Sequence, residues 1–411
     1  MKSANRIIGS LLIVFSIMQE FPTLAANLII YGLFYLMALV YLIITKQLTI
    51  SIDYYLIFSV VWIAYSVLGY IWSIHVYFWL RNTFILIIIF IAILVFRSLI
   101  RTTEDALFFS KVWFLLVIVA NGFGWLEIFS GRYLFSTGTN ILRYSVVKWP
   151  MFTFTNANDY STYVAISLPL ASLYSLNNRR NSWRIANLLL IASCIIMFLK
   201  IDSRANVLGL LAGLIVFVIL YYVNKKYHTI MFFIALSLVL LAMVVIIFVS
   251  FLRDNINYNF LSRSDQTRIT LILTSLSFLK STYFVGVGAG NLNHYLDIYS
   301  SIYFKQPFSY VHNWWIEVLV NFGVPIFIGY LIFWVKLFYT NLLSASNKSK
   351  TNAILSSALV VFVICSISPH SILLMKWLPL FTGFVVGSTA AFNKRNDYFD
   401  TKIMVNYFSS Q

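Results

Sequence analysis

The sequence predicts an all-α, polytopic membrane protein, and three observations predict it: an apolar composition, repeated long apolar runs, and an uneven distribution of basic residues. Hydrophobic residues make up 61% of the 411 positions and charged residues only 10%, and the mean hydropathy is +0.86. A soluble surface needs roughly a quarter of charged residues. The composition therefore excludes soluble, disordered and secreted disulfide-rich proteins.

The apolar runs predict a helical bundle of about twelve transmembrane helices, because a membrane span needs roughly 20 mostly apolar residues. A helical stretch is also predicted at 266–281, where Ile269, Ile272, Leu273, Leu276 and Leu279 form one apolar face that suits the membrane surface or the bundle. The predicted spans are 7–19, 25–45, 54–72, 79–97, 111–128, 161–176, 185–200, 205–223, 229–251, 312–338, 353–369 and 372–392.

The basic residues predict the orientation. Lys and Arg accumulate in short cytoplasmic segments of membrane proteins, and an arrangement with both termini inside makes every predicted inner loop basic. The net charge of +16 then reflects topology, and no nucleic-acid partner is expected. The chain is predicted to comprise an N-terminal bundle of nine spans (1–251), a large extracytoplasmic loop (252–311) and a C-terminal bundle of three spans (312–411).

Several arginines fall on the predicted outer side, against the usual bias, and three of them are candidates for function: Arg81, Arg204 and Arg268. Arginines that converge on one outer cavity would bind a phosphate or diphosphate, since the guanidinium fork matches phosphate oxygens. The alternative is isolated surface ion pairs, such as Arg263 with Asp265.

A second group of polar residues marks the outer entry of the tenth predicted span. His312 is a candidate proton acceptor near neutral pH. Asn313, Glu317 and Asn321 recur every four residues and share one helix face. Polar groups in a span usually face the bundle interior or a wet cavity, and hydrogen bonding between helices is the alternative, favoured for Asn321.

Two further motifs are weaker signals. The string Val285–Asn291 reads VGVGAGN, and Gly288 and Gly290 in it would permit a tight turn or a close backbone approach to a ligand. Asn156, before the sixth predicted span, could hydrogen-bond a sugar or cap the helix. No D-x-D pair and no metal-ligand spacing occur in the sequence, so neither a metal nor another cofactor is expected.

These residues together resemble the O-antigen polymerase and O-antigen ligase superfamily. Arg268, the glycine string and His312-Asn313 follow one another as in that family, as do the segments Ser203-Arg204-Ala205 and Phe154–Asn158. The ligase pattern is His, then Asn, Ser or Gln, nine residues, Gly, two residues, then Gly, Thr or Tyr. Here Gly323 fits, whereas Ile326 stands at the last position.

The resemblance implies a GT-C-like, metal-independent, inverting glycosyltransferase in the cytoplasmic membrane of a bacterium. Its donor would be an oligosaccharide on undecaprenyl diphosphate, within the lipid bilayer, and other membrane proteins of polysaccharide assembly would be its partners. Arg204 and Arg268 would bind the leaving diphosphate, and His312 would act as the general base or orient the acceptor. Asn313 and Glu317 would position His312 or the sugar, and Arg81 would contact the diphosphate or the acceptor.

The departure at Ile326 favours a polymerase of capsular, exopolysaccharide or teichuronic-type repeat units over an O-antigen ligase, which would transfer finished glycan to lipid or protein. A twelve-span transporter or flippase is the alternative from another class. Such a protein is expected to have broken helices near the midplane, whereas most of the predicted spans here run uninterrupted. A non-catalytic partner in envelope assembly is a further alternative, and a His312 variant that loses polymer while assembly stays intact would separate the two.

Overall fold

The computed structural model describes residues 2–18, 24–135, 146–222, 230, 263–303, 310–344, 349–369 and 371–408. These residues are largely helical, and none of them forms a strand. A 3₁₀ turn, Gly69–Trp72, follows the third helix. The helices are α1 (Lys2–Ile17), α2 (Leu24–Ile44), α3 (Tyr54–Leu68), α4 (Val76–Leu99), α5 (Thr103–Ser130), α6 (Ala157–Asn177), α7 (Asn181–Ile201), α8 (Arg204–Tyr222), α9 (Arg263–Ser281), α10 (Asn291–Tyr303), α11 (Trp314–Ser344), α12 (Lys350–Cys365) and α13 (Trp377–Phe408).

The all-helical, multi-pass class is confirmed. Among the described residues, six helices are long and apolar enough to cross a membrane: α3 with its 3₁₀ turn, α4, α5, α7, α8 and α11. Shorter apolar helices occupy Leu28–Ile44, Lys350–Cys365 and Trp377–Phe392. The count of about twelve spans and the GT-C-like arrangement stay predictions, and apart from position 230 the ninth predicted span lies outside the described residues.

Short polar side chains begin several of these helices. Asp53 Oδ1 accepts a hydrogen bond of 3.1 Å from the Leu56 amide at the start of α3. At the start of α5, Thr102 and Asp105 each accept a hydrogen bond from the other's backbone amide. These caps satisfy amides that have no partner within the helix, so these side chains determine where α3 and α5 begin.

The interior of the bundle is built around α4, the most buried of the six candidate spans. A Cβ on Gly383 of α13 would lie 2.6 Å from the Ala92 carbonyl oxygen of α4, and one on Gly387 would lie 2.8 Å from that of Phe96. Small residues let helix backbones approach closely where lipid supplies no hydrophobic drive. Outer helices instead expose large apolar side chains, among them Met37, Leu188 and Leu199.

Helix α11 is broken at Gly323, which has the non-helical angles φ 73° and ψ 174°. Pro325 has no amide hydrogen, so the carbonyl of Asn321 loses its helical partner. That carbonyl accepts a hydrogen bond of 3.0 Å from the Gly288 amide, and the neighbouring Val320 carbonyl accepts one of 2.9 Å from Val287. The glycine string therefore replaces the missing bonds of the helix.

The loop helix expected at 266–281 is present as α9, and its apolar face packs on the bundle. Leu271 and Leu279 are buried in a cluster with Val311 and Val320. Leu271 was not among the residues assigned to that face, because helical spacing alone did not fix which side would be covered. The second loop helix, α10, was not predicted.

Candidate active site

Arg204 lies in a tight connection between α7 and α8. Asp202 ends α7 in a left-handed conformation, with φ 58°, and Arg204 opens α8. The guanidinium is exposed and pairs with Asp202, with Nε 3.3 Å from Oδ1 and Nη2 3.4 Å from Oδ2. Exposed ion pairs contribute little to stability, so an anionic ligand can compete with Asp202 for Arg204.

A buried polar network fixes this connection to the start of α6. The Nδ2 of Asn206 donates hydrogen bonds of 2.8 Å to both Ser161 Oγ and Ser203 Oγ. All three side chains are fully or almost fully buried. The backbone that carries Arg204 is therefore held rigidly, while its side chain extends outward.

His312 stands at the entry of α11 in a left-handed conformation, with φ 52°. Such a conformation is uncommon for a residue with a side chain and often marks a functional position. The next residue, Asn313, caps α11: its Oδ1 accepts hydrogen bonds of 3.1 and 3.2 Å from the amides of Trp315 and Ile316. Asn313 thereby determines where the helix starts and fixes the backbone of His312.

Arg204 and His312 flank the same end of α12. The Cys365 thiol at that end lies 3.8 Å from the Ala205 carbonyl oxygen. The Ser366 carbonyl accepts a hydrogen bond of 3.1 Å from the Trp314 amide. Each contact involves a residue next to, or two residues from, Arg204 or His312, so the structure brings the two backbones together at this end.

Arg268 reaches the same region from the loop. It is half-buried on α9, one turn before Leu271, which packs in one cluster with Val311. Within the described part of the chain, Arg268 has no hydrogen bond or ion pair. A common pocket for the side chains of Arg204, Arg268 and His312 stays a prediction.

Glu317, in the first turn of α11, and Arg81, near the start of α4, are two further candidate residues. Glu317 is 2% exposed, and its Oε1 accepts a hydrogen bond of 2.5 Å from the Ser371 hydroxyl. The Arg81 guanidinium lies over the rings of Phe78 and Tyr77, at 5.1 and 5.6 Å from their centroids, which holds it in place.

Tyr310 is a residue of this region that the sequence analysis missed. Burial raises the pKa of its hydroxyl above the usual value, and the positive charge of Arg81 opposes that shift. The carboxylates of Glu317, Asp159 and Asp297 reinforce it. Tyr310 is therefore a neutral phenol at physiological pH, and it stands where charges from four helices converge. Its position two residues before His312 was the one available signal, because alternate residues of an extended segment share a side.

The remaining candidates lie against protein atoms. A Cβ on Gly288 would overlap the Ser73 hydroxyl, and one on Gly290 would overlap the Asn82 amide. Asn156 caps α6, with its Oδ1 accepting a hydrogen bond of 2.9 Å from the Asp159 amide, which confirms the capping alternative. Contact of these three residues with substrate stays a prediction.

Among the residues that the structure describes, no three His, Cys, Asp or Glu side chains are grouped to hold a metal ion. Metal independence of the reaction stays a prediction.

The fold is that of a helical membrane protein, and the segment that holds the candidate site is similar to known proteins. Residues 186–331 match the family described as O-antigen ligase, a segment that contains Arg204, Arg268, the glycine string and His312. The chain is also 27% identical over 345 residues to the teichuronic acid biosynthesis protein TuaE of Bacillus subtilis (strain 168). The matched region covers 79% of this chain and 69% of the relative. The chain is thus a multi-pass membrane protein that is similar to the O-antigen ligase family and to a protein of teichuronic acid biosynthesis.

Proposed function

We propose that this protein is a glycosyltransferase that polymerises the repeat units of a cell-surface polysaccharide at the extracytoplasmic face of the bacterial cytoplasmic membrane. The donor is a glycan on undecaprenyl diphosphate, and the acceptor is a hydroxyl of a second lipid-linked unit. The observation that carries the proposal is the left-handed His312 at the entry of α11, beside the end of α12 that also holds the Arg204 connection.

In this reaction the acceptor hydroxyl attacks the anomeric carbon of the donor sugar. His312 takes the hydroxyl proton as a general base, and the bond between the anomeric carbon and the diphosphate oxygen breaks with inversion. Negative charge develops on the leaving diphosphate, and Arg204 and Arg268 neutralise it. Preorganised cations stabilise such charge in the transition state, so no metal ion is required in this scheme.

Two features support the polymerase over the ligase. Ile326 occupies the position where the ligase pattern has Gly, Thr or Tyr, and it is buried in α11. The similar protein from Bacillus subtilis is named for the biosynthesis of a polymer, teichuronic acid. The family description itself favours the ligase, which therefore stays the second candidate.

Deletion followed by gel analysis of the surface glycan distinguishes the candidates. A polymerase deletion collapses the ladder of chain lengths to single lipid-linked units. A ligase deletion leaves full-length polymer on its lipid carrier. A ladder that is unchanged in both length and attachment would refute both. Re-expression of the wild-type chain restores the ladder, whereas a His312→Ala variant that inserts normally does not.

A further inference from the structure

The further inference concerns three residues between α9 and α10, Tyr283, Phe284 and Val285, here called the aromatic turn. Tyr283 is 87% exposed and Phe284 is 54% exposed, and the Val285 side chain is exposed as well. Tyr283 and Phe284 are both left-handed, with φ 49° and 64°, which is uncommon for bulky residues. An unusual backbone therefore presents three apolar side chains on the surface of the protein.

The backbone of the aromatic turn is bonded to two helices that are long and apolar enough to cross a membrane, α3 and α11. The Val285 carbonyl accepts a hydrogen bond of 2.7 Å from the Tyr65 hydroxyl of α3. The Phe284 carbonyl accepts one of 3.0 Å from the Val324 amide of α11.

These two contacts fix the level of the aromatic turn along the spans. Tyr65 lies seven residues before the end of the span that α3 forms with its 3₁₀ turn, and Val324 lies ten residues after the start of α11. A helix rises 1.5 Å per residue, so the contacts lie roughly 10–15 Å inside the ends of both helices. The turn therefore dips back alongside the spans and does not stay beyond their ends.

The aromatic turn also meets the condition that lipid imposes on a backbone. A bare amide or carbonyl in hydrocarbon costs several kcal/mol. All three amides of the turn donate hydrogen bonds of 3.0–3.1 Å to carbonyls at or just after the end of α9, those of Lys280, Leu279 and Thr282. With the two carbonyls bonded to α3 and α11, the polar backbone is held by protein while the side chains face outward.

The face of α3 beside the aromatic turn is itself exposed and apolar. Val61 and Leu68 stand four residues before and three residues after Tyr65, so they share its helix face, and both are exposed. Exposed apolar side chains on a membrane-spanning helix face the acyl chains of the bilayer. The turn lies against this face, so the same acyl chains surround its side chains.

We infer that the aromatic turn is a re-entrant membrane anchor: Tyr283, Phe284 and Val285 insert into the bilayer beside α3 and tie the segment between α9 and α10 to the lipid. Phe and Val suit the hydrocarbon, and Tyr suits its boundary with the headgroups. The inference goes beyond the proposed function and holds whichever reaction the protein catalyses.

The test places a fluorescent bimane label on the aromatic turn of the full-length protein in lipid nanodiscs. Cysteine replaces Tyr283 in one variant and Phe284 in another. Cys194 and Cys365 are fully buried, so the wild type should take up no label. Bromine atoms on the acyl chains quench a label that touches them, whereas iodide in the buffer quenches a label in water. Both labelled variants should lose fluorescence in brominated lipid and resist iodide.

Two control positions calibrate the response. Leu188→Cys lies on the candidate span α7 and is exposed, so its label reports contact with lipid. Arg179→Cys lies in the polar connection between α6 and α7 and is exposed, so its label reports contact with water. Val285→Cys supplies a further position on the turn if either aromatic variant does not fold.

Bromine quenching equal to that of the Leu188→Cys label is the expected result. Iodide quenching equal to that of the Arg179→Cys label, without loss in brominated lipid, would place the turn in water and overturn the anchor. Bromine quenching that disappears when undecaprenyl diphosphate is added would assign the surface to a polyprenyl chain, and this too would overturn the anchor. The experiment needs no turnover, so failure of the polymerase proposal would leave its result standing.

Discussion

Gly286 and Gly323 lie back to back: a Cβ on Gly286 would come within 2.5 Å of the Gly323 amide nitrogen. Both glycines have positive φ, 97° and 73°, which residues with side chains rarely adopt. The contact joins the segment between α9 and α10 to the break in α11, eleven residues after His312. The two glycines therefore support the geometry at the entry of α11 without contributing a functional group.

Gly323→Ala should destabilise the protein by at least about 1 kcal/mol, the cost of a left-handed backbone with a side chain, and its Cβ would also overlap the Val285 carbonyl oxygen. The apparent Tm in detergent should fall. Gly122→Ala is the matched control, because a Cβ there meets nothing within 4 Å, and its Tm should not fall. Equal Tm values for Gly323→Ala and wild type would contradict the proposed role of the contact.

His312→Ala should reduce polymer formation by about a hundredfold or more, since general base catalysis contributes at least this much. The measurement is the rate of glycan polymerisation by equal amounts of folded protein in vesicles. His294→Ala, a change of the same type on α10, serves as the control and should retain activity. Full polymer formation by His312→Ala would remove the general base from the mechanism.

Arg268→Ala should reduce turnover by roughly tenfold or more, because a hydrogen bond to a charged phosphate oxygen is lost. Arg268→Lys keeps the charge but loses the fork, and it should recover part of the rate. Lys280→Ala, an exposed cation in the last turn of the same helix, controls for a general loss of positive charge. If Arg268→Ala and Lys280→Ala turn over alike, Arg268 does not bind the leaving group.

Asn206→Ala should cost about 1–3 kcal/mol of stability, because Ser161 and Ser203 lose a buried partner. It should also lower turnover per folded molecule, since the Arg204 connection loosens. Asn341→Ala removes an equally buried amide that bonds Thr389 at 2.9 Å, far along α11 from its entry. That variant should lose stability without loss of turnover. Equal turnover for the two variants would show that the Asn206 network does not position Arg204.

The helices were accessible to sequence analysis because composition and apolar runs are local properties. Eleven of the predicted spans coincide with described helices, and α9 begins three residues before its expected start. Helix α10 was not predicted, because Asn291–Tyr303 mixes polar and aromatic residues without a long apolar run. Its partner is distant in sequence: the Leu292 amide donates to Asn321 Oδ1 at 3.0 Å.

The candidate site was predictable only in part, because its contacts join residues that are distant in sequence. Residue type suggested Arg204, Arg268 and His312, but no local pattern indicates that Ser371 donates to Glu317 or that Arg81 lies near Tyr310. Likewise, a glycine string indicates close approach without identifying what approaches. Here Gly288 lies against Ser73, and Gly290 lies against Asn82.

The pairing of Val287 and Gly288 with Val320 and Asn321 also constrains how the length of this chain can vary among relatives. An insertion of one residue between Val285 and Gly288 would shift Gly286 away from Gly323 and place a side chain against a backbone. Insertions and deletions among relatives should therefore be rare between Val285 and Gly288.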